Sequence, residues 1–294
     1  MATHSLTYLV NTFNKLPFLR CSMQRLLANV QPGEEVVVVD GNSTDGTKEY
    51  LQDLASRGAI TTYISEPDHG EAEGWNRGLL AGRGDLIKLI SDDDIFYYPG
   101  IRACLDIMVT HKELDLLWTN GSGMNIADGR IHAPDEVDDF LRWRQGKGLL
   151  FCCGLGLMIR RSSLPLVGLF NTSARRIDGE FSLRVSSGPA RVGWYSGVVY
   201  TRLLTSASAA YKLHRRMVDE EIAFKTCYYF LKRHPPELAG VRSGASAWLR
   251  SLIRGSRKLG ASAPIEPVDI EAAFAKASKW IEEVNLAREA RLCF

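Results

Sequence analysis

The strongest constraint on the fold is the segment 36–40, in which four consecutive valines precede an aspartate. An uninterrupted β-branched run predicts a strand that is covered on both faces, as strands of a parallel sheet are. Three further short apolar segments are also predicted to be strands: 6–11, 60–65 and 85–90. Helical patterns lie between the strands, at 15–28, 47–56 and 71–81. Strands that alternate with helices predict an α/β fold with a doubly wound, mostly parallel sheet.

The pattern is looser in the second part of the chain. We predict a helix at 101–111, strands at 114–120 and 155–161, and a turn-rich region at 121–135. A helix and a loop then lead to the apolar segment 181–185. Beyond Thr205 the pattern becomes helical. The expected organisation is therefore an α/β body over residues 1–204 with a helical C-terminal extension over residues 205–294.

The composition excludes several classes of protein. Hydrophobic residues make up 45% and charged residues 24% of the chain, as in soluble globular proteins, which excludes a disordered or fibrous chain. The sequence has no run of 18 apolar residues, so we expect no membrane-spanning helix. The six cysteines show no C-x-x-C pair and no zinc spacing, which indicates reduced thiols and a cytoplasmic location.

Charge is distributed unevenly along the chain. The net charge is only +2, and we expect no nucleic acid partner, but the last ninety residues contain 15 basic and 10 acidic side chains. Four of the basic residues share one face of a predicted amphipathic helix: Arg250, Arg254, Arg257 and Lys258. Such a helix can lie on an anionic membrane surface, which predicts peripheral membrane contact. The alternative is a helix packed on the body with its basic face in solvent.

Polar residues follow the predicted strands of the first hundred residues. Asn11, Asp40, Ser65 and Asp92 each lie at or just after the end of one strand. In open α/β sheets, ligands bind in the crevice outside the carboxyl ends of the strands. We therefore expect these four side chains to converge on one ligand-binding crevice.

The segment Ser91–Asp94 places three adjacent carboxylates directly after a buried strand. Like charges this close repel one another, and a cation that neutralises them relieves the repulsion. Mg²⁺ and Mn²⁺ prefer oxygen ligands and leave positions for phosphate oxygens. The segment therefore predicts a divalent metal site, and the alternative is a solvated acidic turn.

Two further segments are candidates for ligand binding. Asp40 could accept hydrogen bonds from a nucleotide base or ribose, or it could cap the following helix, for which Ser43 and Thr44 are also available. Asp68 and His69 precede a helix whose N-terminus could face an anion. For His69 an ordinary loop position is the stronger interpretation.

These motifs together carry a resemblance to a known family. The segments VVVVDGNSTDGT, SEPDHG, WNRGL, GDLIKLISDDD and GLMIRRSSLPLVGLFNTSARRIDGEFSLRV occur in an order and spacing that resemble the family 2 glycosyltransferases. The resemblance covers about residues 5–205. It implies the GT-A fold, a Rossmann-like nucleotide-diphospho-sugar transferase fold, with a nucleotide-binding half over residues 1–99 and an acceptor half over residues 100–204. It also implies transfer of a sugar, with inversion, from a nucleotide donor such as a UDP-sugar to a saccharide or lipid-linked hydroxyl in surface polysaccharide synthesis.

The resemblance also assigns roles to residues of the donor site. Asp92 would lie near the donor ribose, and Asp93 would hold the Mn²⁺ or Mg²⁺ that bridges the diphosphate, with Asp94 as a second candidate ligand. The remaining donor-binding candidates are Asn11, Thr12, Phe13, Asn14, Asp40, Asp68, Asn76, Arg77 and Ser91. Relatives carry Ala-Arg-Asn where this chain has Gly74-Trp75-Asn76, so a pyrophosphate-binding arginine is missing and Arg77 is the candidate replacement.

The catalytic base is expected in the segment 178–184, which matches the family pattern D-x-D/E-h-x-h-R. An inverting transfer needs a base within hydrogen-bond reach of the acceptor hydroxyl. Asp178 matches the family's base position and Glu180 is the alternative, while both could instead decorate the start of a helix. Relatives often have a His-Gln pair where this chain has Gly154-Leu155, so the acceptor cannot be carried over from them. His214 is a further candidate metal contact.

Two other functions fit parts of the sequence. A nucleotidyltransferase also places carboxylates and Mg²⁺ on an α/β sheet, but it would need a Gly-rich phosphate loop after the first strand, which NTFNKLPF does not provide. A non-catalytic nucleotide-sugar-binding protein would not need the carboxylates at Ser91–Asp94 and Asp178.

Overall fold

The computed structural model of the chain describes residues 6–133, 136–204, 214–229 and 269–294. The strands of this part are β1 (Leu6–Thr12), β2 (Glu35–Asp40), β3 (Thr62–Ser65), β4 (Leu86–Ser91), β5 (Ile95–Phe96), β6 (Leu116–Asn125), β7 (Ile131–His132), β8 (Met158–Arg160), β9 (Val192–Leu204) and β10 (Leu292–Cys293). Its α-helices are α1 (Leu16–Leu27), α2 (Thr47–Ser56), α3 (Glu71–Ala81), α4 (Tyr98–Thr110), α5 (Val137–Arg144), α6 (Leu164–Val167), α7 (Ile177–Ser186), α8 (His214–Tyr229) and α9 (Ile270–Ala287).

All ten strands belong to one sheet, with the order β10-β9-β6-β8-β4-β1-β2-β3 and with β5 on β9 and β7 on β6. The first four strands are parallel to one another, as are β6 and β9, whereas β8 is antiparallel to both of its neighbours. Helices α1, α2 and α3 connect the first four strands in turn. The predicted α/β fold with a mostly parallel sheet is therefore confirmed.

The valine run explains why the sheet is covered on both faces. Successive side chains of a strand point to opposite faces. Val36 and Val38 pack with α1 and α2 in one apolar core, and Val37 and Val39 pack with α3 in a second one. All four valines are almost completely buried. Two helical layers therefore enclose β2, and its polar end at Asp40 is held at a fixed place.

The turn prediction for 121–135 is wrong for its first five residues, because β6 continues through Gly121 and Gly123 to Asn125. These glycines allow close approach within the sheet, since a Cβ atom at Gly121 would lie 2.0 Å from the ring of Tyr200. The partner strand β9 was not predicted from the sequence, although it pairs with β6 along ten registered positions. The segment 181–185 lies inside α7, and the strand predicted at 155–161 is the shorter β8.

The end of the chain returns to the same sheet. Helix α9 packs on β9 through Phe274, Ala277 and Ile281, and β10 pairs antiparallel with β9. Asn285 donates a hydrogen bond to the carbonyl of Val198 and accepts one from its N–H, at 2.8 and 3.0 Å. The C-terminal region therefore contains a strand as well as helices, and its last part is continuous with the α/β body.

Two predictions about the C-terminal region lie outside what the structure describes. The basic amphipathic helix with Arg250 and Arg254 falls within 230–268, and the side chain of His214 is also outside the described part. Within the described ranges, no helix combines the length and the apolar character needed to cross a membrane.

Candidate functional site

The polar ends of four strands lie together at one edge of the sheet, and we call this place the strand-end crevice. Thr12 lies opposite Asp40 in the β1–β2 register, and Asp40 lies opposite Ser65 in the β2–β3 register. On the other side of β1, Asn11 lies opposite Ser91. Because these strands are parallel, their polar ends meet at the same edge of the sheet. The predicted convergence of Asn11, Asp40, Ser65 and the acidic segment is confirmed.

Asp40 is fully buried at the base of this crevice. Its carboxylate accepts hydrogen bonds from the N–H of Ser43 at 3.1 Å, from the hydroxyl of Ser65 at 2.7 Å and from the hydroxyl of Ser43. Asp40 therefore fixes the loop after β2 and its distance from the end of β3. The Asp40 carboxylate thus already has protein partners. A direct contact between Asp40 and a nucleotide stays a prediction.

Phe13 and Asp68 lie beside this loop. Phe13 is 56% exposed, which is unusual for a residue with a large apolar side chain. A Cβ atom at Gly41 would lie 2.8 Å from the Asp68 carboxylate and 3.2 Å from the Phe13 ring, so both side chains border this glycine. An exposed ring next to a hydrogen-bond acceptor has the chemistry needed to stack on and recognise a heterocyclic base.

The loop after β1 is tied to the loop after β2. Asn14 has a left-handed backbone conformation with φ of 51°. Its N–H donates to the Ser43 hydroxyl at 2.8 Å, and its side-chain oxygen accepts from the N–H of Thr44 at 2.8 Å. Asn14 is thus placed in the crevice, where it holds the loop in position.

Asn11 connects β1 to the start of α3. Its amide group donates to the carbonyl of Glu71 at 3.2 Å, and its buried side-chain oxygen has no hydrogen-bond partner. Gly74 packs directly on this amide group, since a Cβ atom there would lie 2.2 Å from the oxygen. The absence of a side chain at Gly74 therefore makes room for Asn11.

The three adjacent aspartates point in different directions. Asp92 is buried and accepts a hydrogen bond from the Thr12 hydroxyl at 2.8 Å. Asp94 is buried and accepts from the Ser91 hydroxyl at 2.6 Å and from the N–H of Leu203 at 2.8 Å. The Asp93 side chain is 21% exposed. Of the two predicted metal ligands, Asp93 has the more accessible carboxylate, whereas both oxygens of Asp94 have protein partners.

Lys15 supplies a positive charge to this cluster. Its ammonium group donates a hydrogen bond to the Asp93 carboxylate and lies 3.5 Å from Oδ1 of Asp92. Burial lowers the pKa of Lys15, but the charges of Asp92 and Asp93 outweigh this effect and raise it. Lys15 therefore stays protonated and bound to the two carboxylates.

Burial perturbs the titration of two of the aspartates. It raises the pKa of Asp92 to about 7; Lys15 opposes this rise and the Asp93 charge adds to it. Burial together with the Asp93 charge raises the pKa of Asp94 to about 7 as well. Full ionisation of the cluster at neutral pH therefore requires additional positive charge.

The acidic segment has the right chemistry for a metal, but it supplies few ligands. Among the residues that the structure describes, no three His, Cys, Asp or Glu side chains come together as a metal site. Asp93, with Asp92 beside it, offers hard oxygen ligands that fit Mn²⁺ or Mg²⁺. Such an ion would need most of its remaining ligands from water or from a bound diphosphate.

The titration of Asp94 leads to a prediction about stability. Its pKa is about 7 in the folded protein against an ordinary value of 3.8. Because the folded state binds this proton more tightly, the stabilisation is complete at low pH and is lost as the pH rises to about 7. We expect the free energy of unfolding, measured in urea without ligands, to fall between about pH 4 and pH 7 and to level off above that. Asp94→Asn should reduce this slope, and parallel profiles for the two proteins would contradict the assignment.

The two predicted catalytic carboxylates have different surroundings. Asp178 lies in the first turn of α7 and is half-buried, and one of its oxygens accepts from the N–H of Gly179 at 2.9 Å. Glu180 is 1% exposed and accepts from Nε of Arg184 at 2.9 Å and from the Tyr228 hydroxyl. Glu180 therefore joins α7 to α8, and Asp178 is the more accessible carboxylate.

Asp178 lies on the same edge of the sheet as the acidic segment. A Cβ atom at Gly154 would be 3.6 Å from Cβ of Asp178 and 4.0 Å from Leu89, which is two residues before Ser91. Gly154 therefore lies between the start of α7 and β4.

Glu71 is a site residue that the sequence analysis did not predict. Its carboxylate accepts from the indole N–H of Trp75 at 3.0 Å. Glu71 is exposed as a residue, but the groups packed around its carboxyl raise its pKa, and the charges of Asp178 and Asp93 act in the same direction while Lys15 opposes them. Glu71 therefore lies within electrostatic range of both Asp178 and Asp93. The sequence signal for this contact was the spacing of Glu71 and Trp75, which are four residues apart on one predicted helix.

Asn76 and Arg77 have structural partners in this state. The amide of Asn76 donates to the carbonyl of Phe170 and accepts from its N–H, both at 2.8 Å. Arg77 donates to the carbonyl of Pro67 at 2.8 Å and to Glu73 at 2.6 Å, which fixes the loop before α3. That these two residues bind the donor stays a prediction.

Comparison with known proteins identifies the family. Residues 7–165, more than half of the chain, match the sequence model of Glycosyl transferase family 2. The chain belongs to this family. A relative in Mycobacterium bovis, named "PGL/p-HBAD biosynthesis glycosyltransferase", is 25% identical over 238 residues, which cover 80% of this chain and 86% of that protein. The predicted family and enzyme class are confirmed: the protein is a glycosyltransferase that uses nucleotide-sugar donors.

Solved structures share the fold. The mannosyltransferase PcManGT from Pyrobaculum calidifontis, in complex with GDP-Man and Mn²⁺, aligns with a TM-score of 0.60 at 16% identity over 96% of this chain and 80% of its own. TarS 1–349 from S. aureus, in complex with UDP-GlcNAc, aligns with a TM-score of 0.54 at 14% identity over 96% and 92% of the two chains. The predicted GT-A fold is confirmed.

Proposed function

We propose that this chain is a metal-dependent, inverting glycosyltransferase that transfers a sugar from a UDP-sugar to a hydroxyl of a saccharide or lipid-linked acceptor. The observation that carries the proposal is the pair of accessible carboxylates, Asp93 and Asp178, at one edge of the sheet. Each has a neighbouring carboxylate, Asp94 or Glu180, whose oxygens bind other protein groups. Two accessible carboxylates suit two separate tasks: Asp93 would hold a metal, and Asp178 would accept a proton.

The donor nucleotide would lie along the ends of β1, β2 and β4. The base would stack on Phe13, with Asp68 at its edge, and Asp40 would act by holding the loop that carries Gly41. Thr12 holds Asp92 in place for a contact with the ribose. Asn11, Asn14 and Ser91 keep the surrounding segments together. Asn76 and Arg77 would support the donor site by fixing the segments around α3.

The divalent ion would be held by Asp93, with Asp92 beside it. When bound, the ion supplies positive charge to the leaving diphosphate. Asp94 would contribute indirectly, because its hydrogen bond with Leu203 anchors the acidic segment to β9. Mn²⁺ and Mg²⁺ both suit this set of oxygen ligands.

Asp178 would act as the general base. Its free oxygen would accept the proton of the acceptor hydroxyl while the hydroxyl oxygen forms a bond to the anomeric carbon. The bond from that carbon to the diphosphate oxygen breaks in the same step, so the configuration at the anomeric carbon is inverted. The hydrogen bond from the N–H of Gly179 keeps the Asp178 carboxylate oriented during this step.

The acceptor class is inferred from the relatives. The M. bovis relative is named for PGL/p-HBAD biosynthesis, and a Bacillus subtilis relative that is 25% identical over 173 residues is named for teichuronic acid biosynthesis. We propose a role in surface polysaccharide or glycolipid synthesis. A cytoplasmic enzyme in peripheral contact with the membrane would suit a lipid-linked acceptor.

A ligand screen tests the donor and the metal together. A ligand that binds only the folded state raises the melting temperature according to its concentration and affinity. We expect UDP with Mn²⁺ to stabilise the protein more than UDP in EDTA, and more than GDP, ADP or CDP with Mn²⁺. Greater stabilisation by GDP would change the assigned base, and equal stabilisation by UDP in EDTA and in Mn²⁺ would contradict metal dependence. NMR analysis of the anomeric configuration of the product then tests inversion.

A further inference from the structure

Lys15 occupies an unusual position at the edge of the acidic segment. Its ammonium group is bound to Asp93 and lies 3.5 Å from Asp92, while its side chain is still 43% exposed. The residue comes immediately before α1, at the N-cap position, and makes no capping hydrogen bond. The two carboxylates are therefore the groups that hold this lysine in place.

The surroundings of Lys15 otherwise disfavour a cation. The N-terminus of a helix carries a partial positive charge, which favours an acidic side chain there and disfavours a basic one. The first turn of α1 contains no acidic residue, and the carboxylate that caps this helix comes from Asp45, which accepts from the N–H of Leu16 at 2.9 Å. The lysine is thus retained by attraction to Asp92 and Asp93 across the loop.

The ammonium group also competes with any metal ion at these carboxylates. A divalent cation that binds Asp93 would weaken the hydrogen bond from Lys15 to Oδ2 of Asp93, because two cations at one carboxylate repel each other. A diphosphate changes this balance in two ways. It adds oxygen ligands for the metal, and it offers Lys15 a new anionic partner, since lysine is a common phosphate ligand.

We propose that Lys15 is the resident counter-ion of Asp92 and Asp93, and that it makes binding of the divalent ion depend on the donor diphosphate. This inference rests on the proposed function, because it assumes that metal and donor meet at Asp93. In the free enzyme Lys15 neutralises the acidic segment and keeps the affinity for metal low. When the donor arrives, Lys15 transfers to the diphosphate and the metal takes its place. Metal and nucleotide then bind with positive coupling, which must be the same measured from either ligand.

The test compares Lys15→Met, which removes the charge, with Lys15→Arg, which keeps it. Lys279→Met is a matched control, because Lys279 is an exposed lysine on α9 that lies 3.8 Å from Glu283. Binding of Mn²⁺ is followed by the loss of the free-ion EPR signal, without nucleotide and with saturating UDP, at about pH 8. UDP affinity is measured by calorimetry in saturating Mn²⁺.

We expect Lys15→Met to bind Mn²⁺ about tenfold more tightly than the wild type without nucleotide, since an opposite charge this close changes a carboxylate equilibrium by a factor of about 10 or more. The same variant should bind UDP more weakly in Mn²⁺, so the coupling between the two ligands falls. Lys15→Arg and Lys279→Met should retain the wild-type coupling. Circular dichroism and the melting temperature show whether each variant is folded, and Lys15→Gln replaces Lys15→Met if that variant does not fold.

Two results would overturn the inference, and they are distinguishable. If the wild type forms a complex with UDP and Mn²⁺ but Lys15→Met shows unchanged nucleotide-free Mn²⁺ affinity and unchanged coupling, Lys15 is not the counter-ion that controls metal binding. If the wild type shows no metal-dependent binding of UDP or GDP, the proposed function fails and the inference fails with it.

Discussion

Asp178→Asn is expected to lower the rate of sugar transfer by about 10²- to 10⁴-fold while donor binding is retained. Asparagine keeps the size of the side chain and can still accept from the N–H of Gly179, but it cannot take the proton of the acceptor hydroxyl. The loss corresponds to roughly 3–5 kcal/mol of transition-state stabilisation. It should appear in kcat, with little change in the KM for the donor, because the interaction matters chiefly in the transition state. Steady-state kinetics with a purified acceptor measures both parameters.

Glu180→Gln is the matched control for this experiment. Glu180 is buried against Arg184 and Tyr228, so the substitution weakens a charged hydrogen-bond network between α7 and α8. We expect a loss of about 1–3 kcal/mol in the free energy of unfolding and a smaller effect on kcat than Asp178→Asn gives. The reverse order of the two kcat values would move the base to Glu180. Near-wild-type rates in both variants would remove both residues from that role and reopen the stereochemistry.

Asp93→Asn is expected to weaken metal-dependent UDP binding by at least about 100-fold, because loss of a metal-ligand carboxylate should exceed the 10- to 100-fold effects of groups that only support ligands. Its exposed carboxylate would be the main protein ligand of the ion, and the neutral amide is a poorer one. Calorimetric titration of UDP in Mn²⁺ and in EDTA measures the effect. The fold should be unaffected, since the Asp93 side chain is partly exposed.

Asp94→Asn distinguishes the two carboxylates that the sequence analysis proposed as ligands. Asp94 binds Ser91 and Leu203, so we expect a smaller loss of UDP affinity and a larger change in stability than Asp93→Asn gives. Equal losses of UDP affinity in the two variants would indicate that Asp94 also acts as a ligand. A wild-type UDP affinity that is the same in EDTA and in Mn²⁺ would remove the metal role from the whole segment.

The sequence was sufficient to predict the strand-end crevice, because each contributing residue could be recognised from its own strand. Each predicted strand ended in a polar residue, and parallel strands bring such residues to one edge whatever the details of packing. The roles of Asp93 and Asp94 could not be separated in this way. Asp94 accepts a hydrogen bond from the backbone N–H of Leu203. This residue lies 109 positions further along the chain, on a strand that was not predicted.

Strand β9 and the site residue Lys15 were not predicted from the sequence, and each omission has a physical reason. Gly121 and Gly123 are typical of turns, and only the ring of Tyr200 packed on Gly121 shows why a strand needs a glycine there. Lys15 was overlooked because a lysine at the start of a helix has no favourable local partner. Its partners follow β4, more than seventy positions away in the sequence.

The anchoring of Asp94 by β9 has a consequence for engineering new sugar specificities. A chimaera could be made by exchanging the predicted nucleotide-binding half, residues 1–99, between enzymes. In this protein such a cut would separate Asp94 from Leu203 and β5 from its antiparallel partner β9. In the transplanted half, the buried carboxylate of Asp94 would lack the N–H group that donates a hydrogen bond to it, and β5 would be unpaired. A working module would have to include β9, so the segment 1–99 is not a structural unit that can be exchanged by itself.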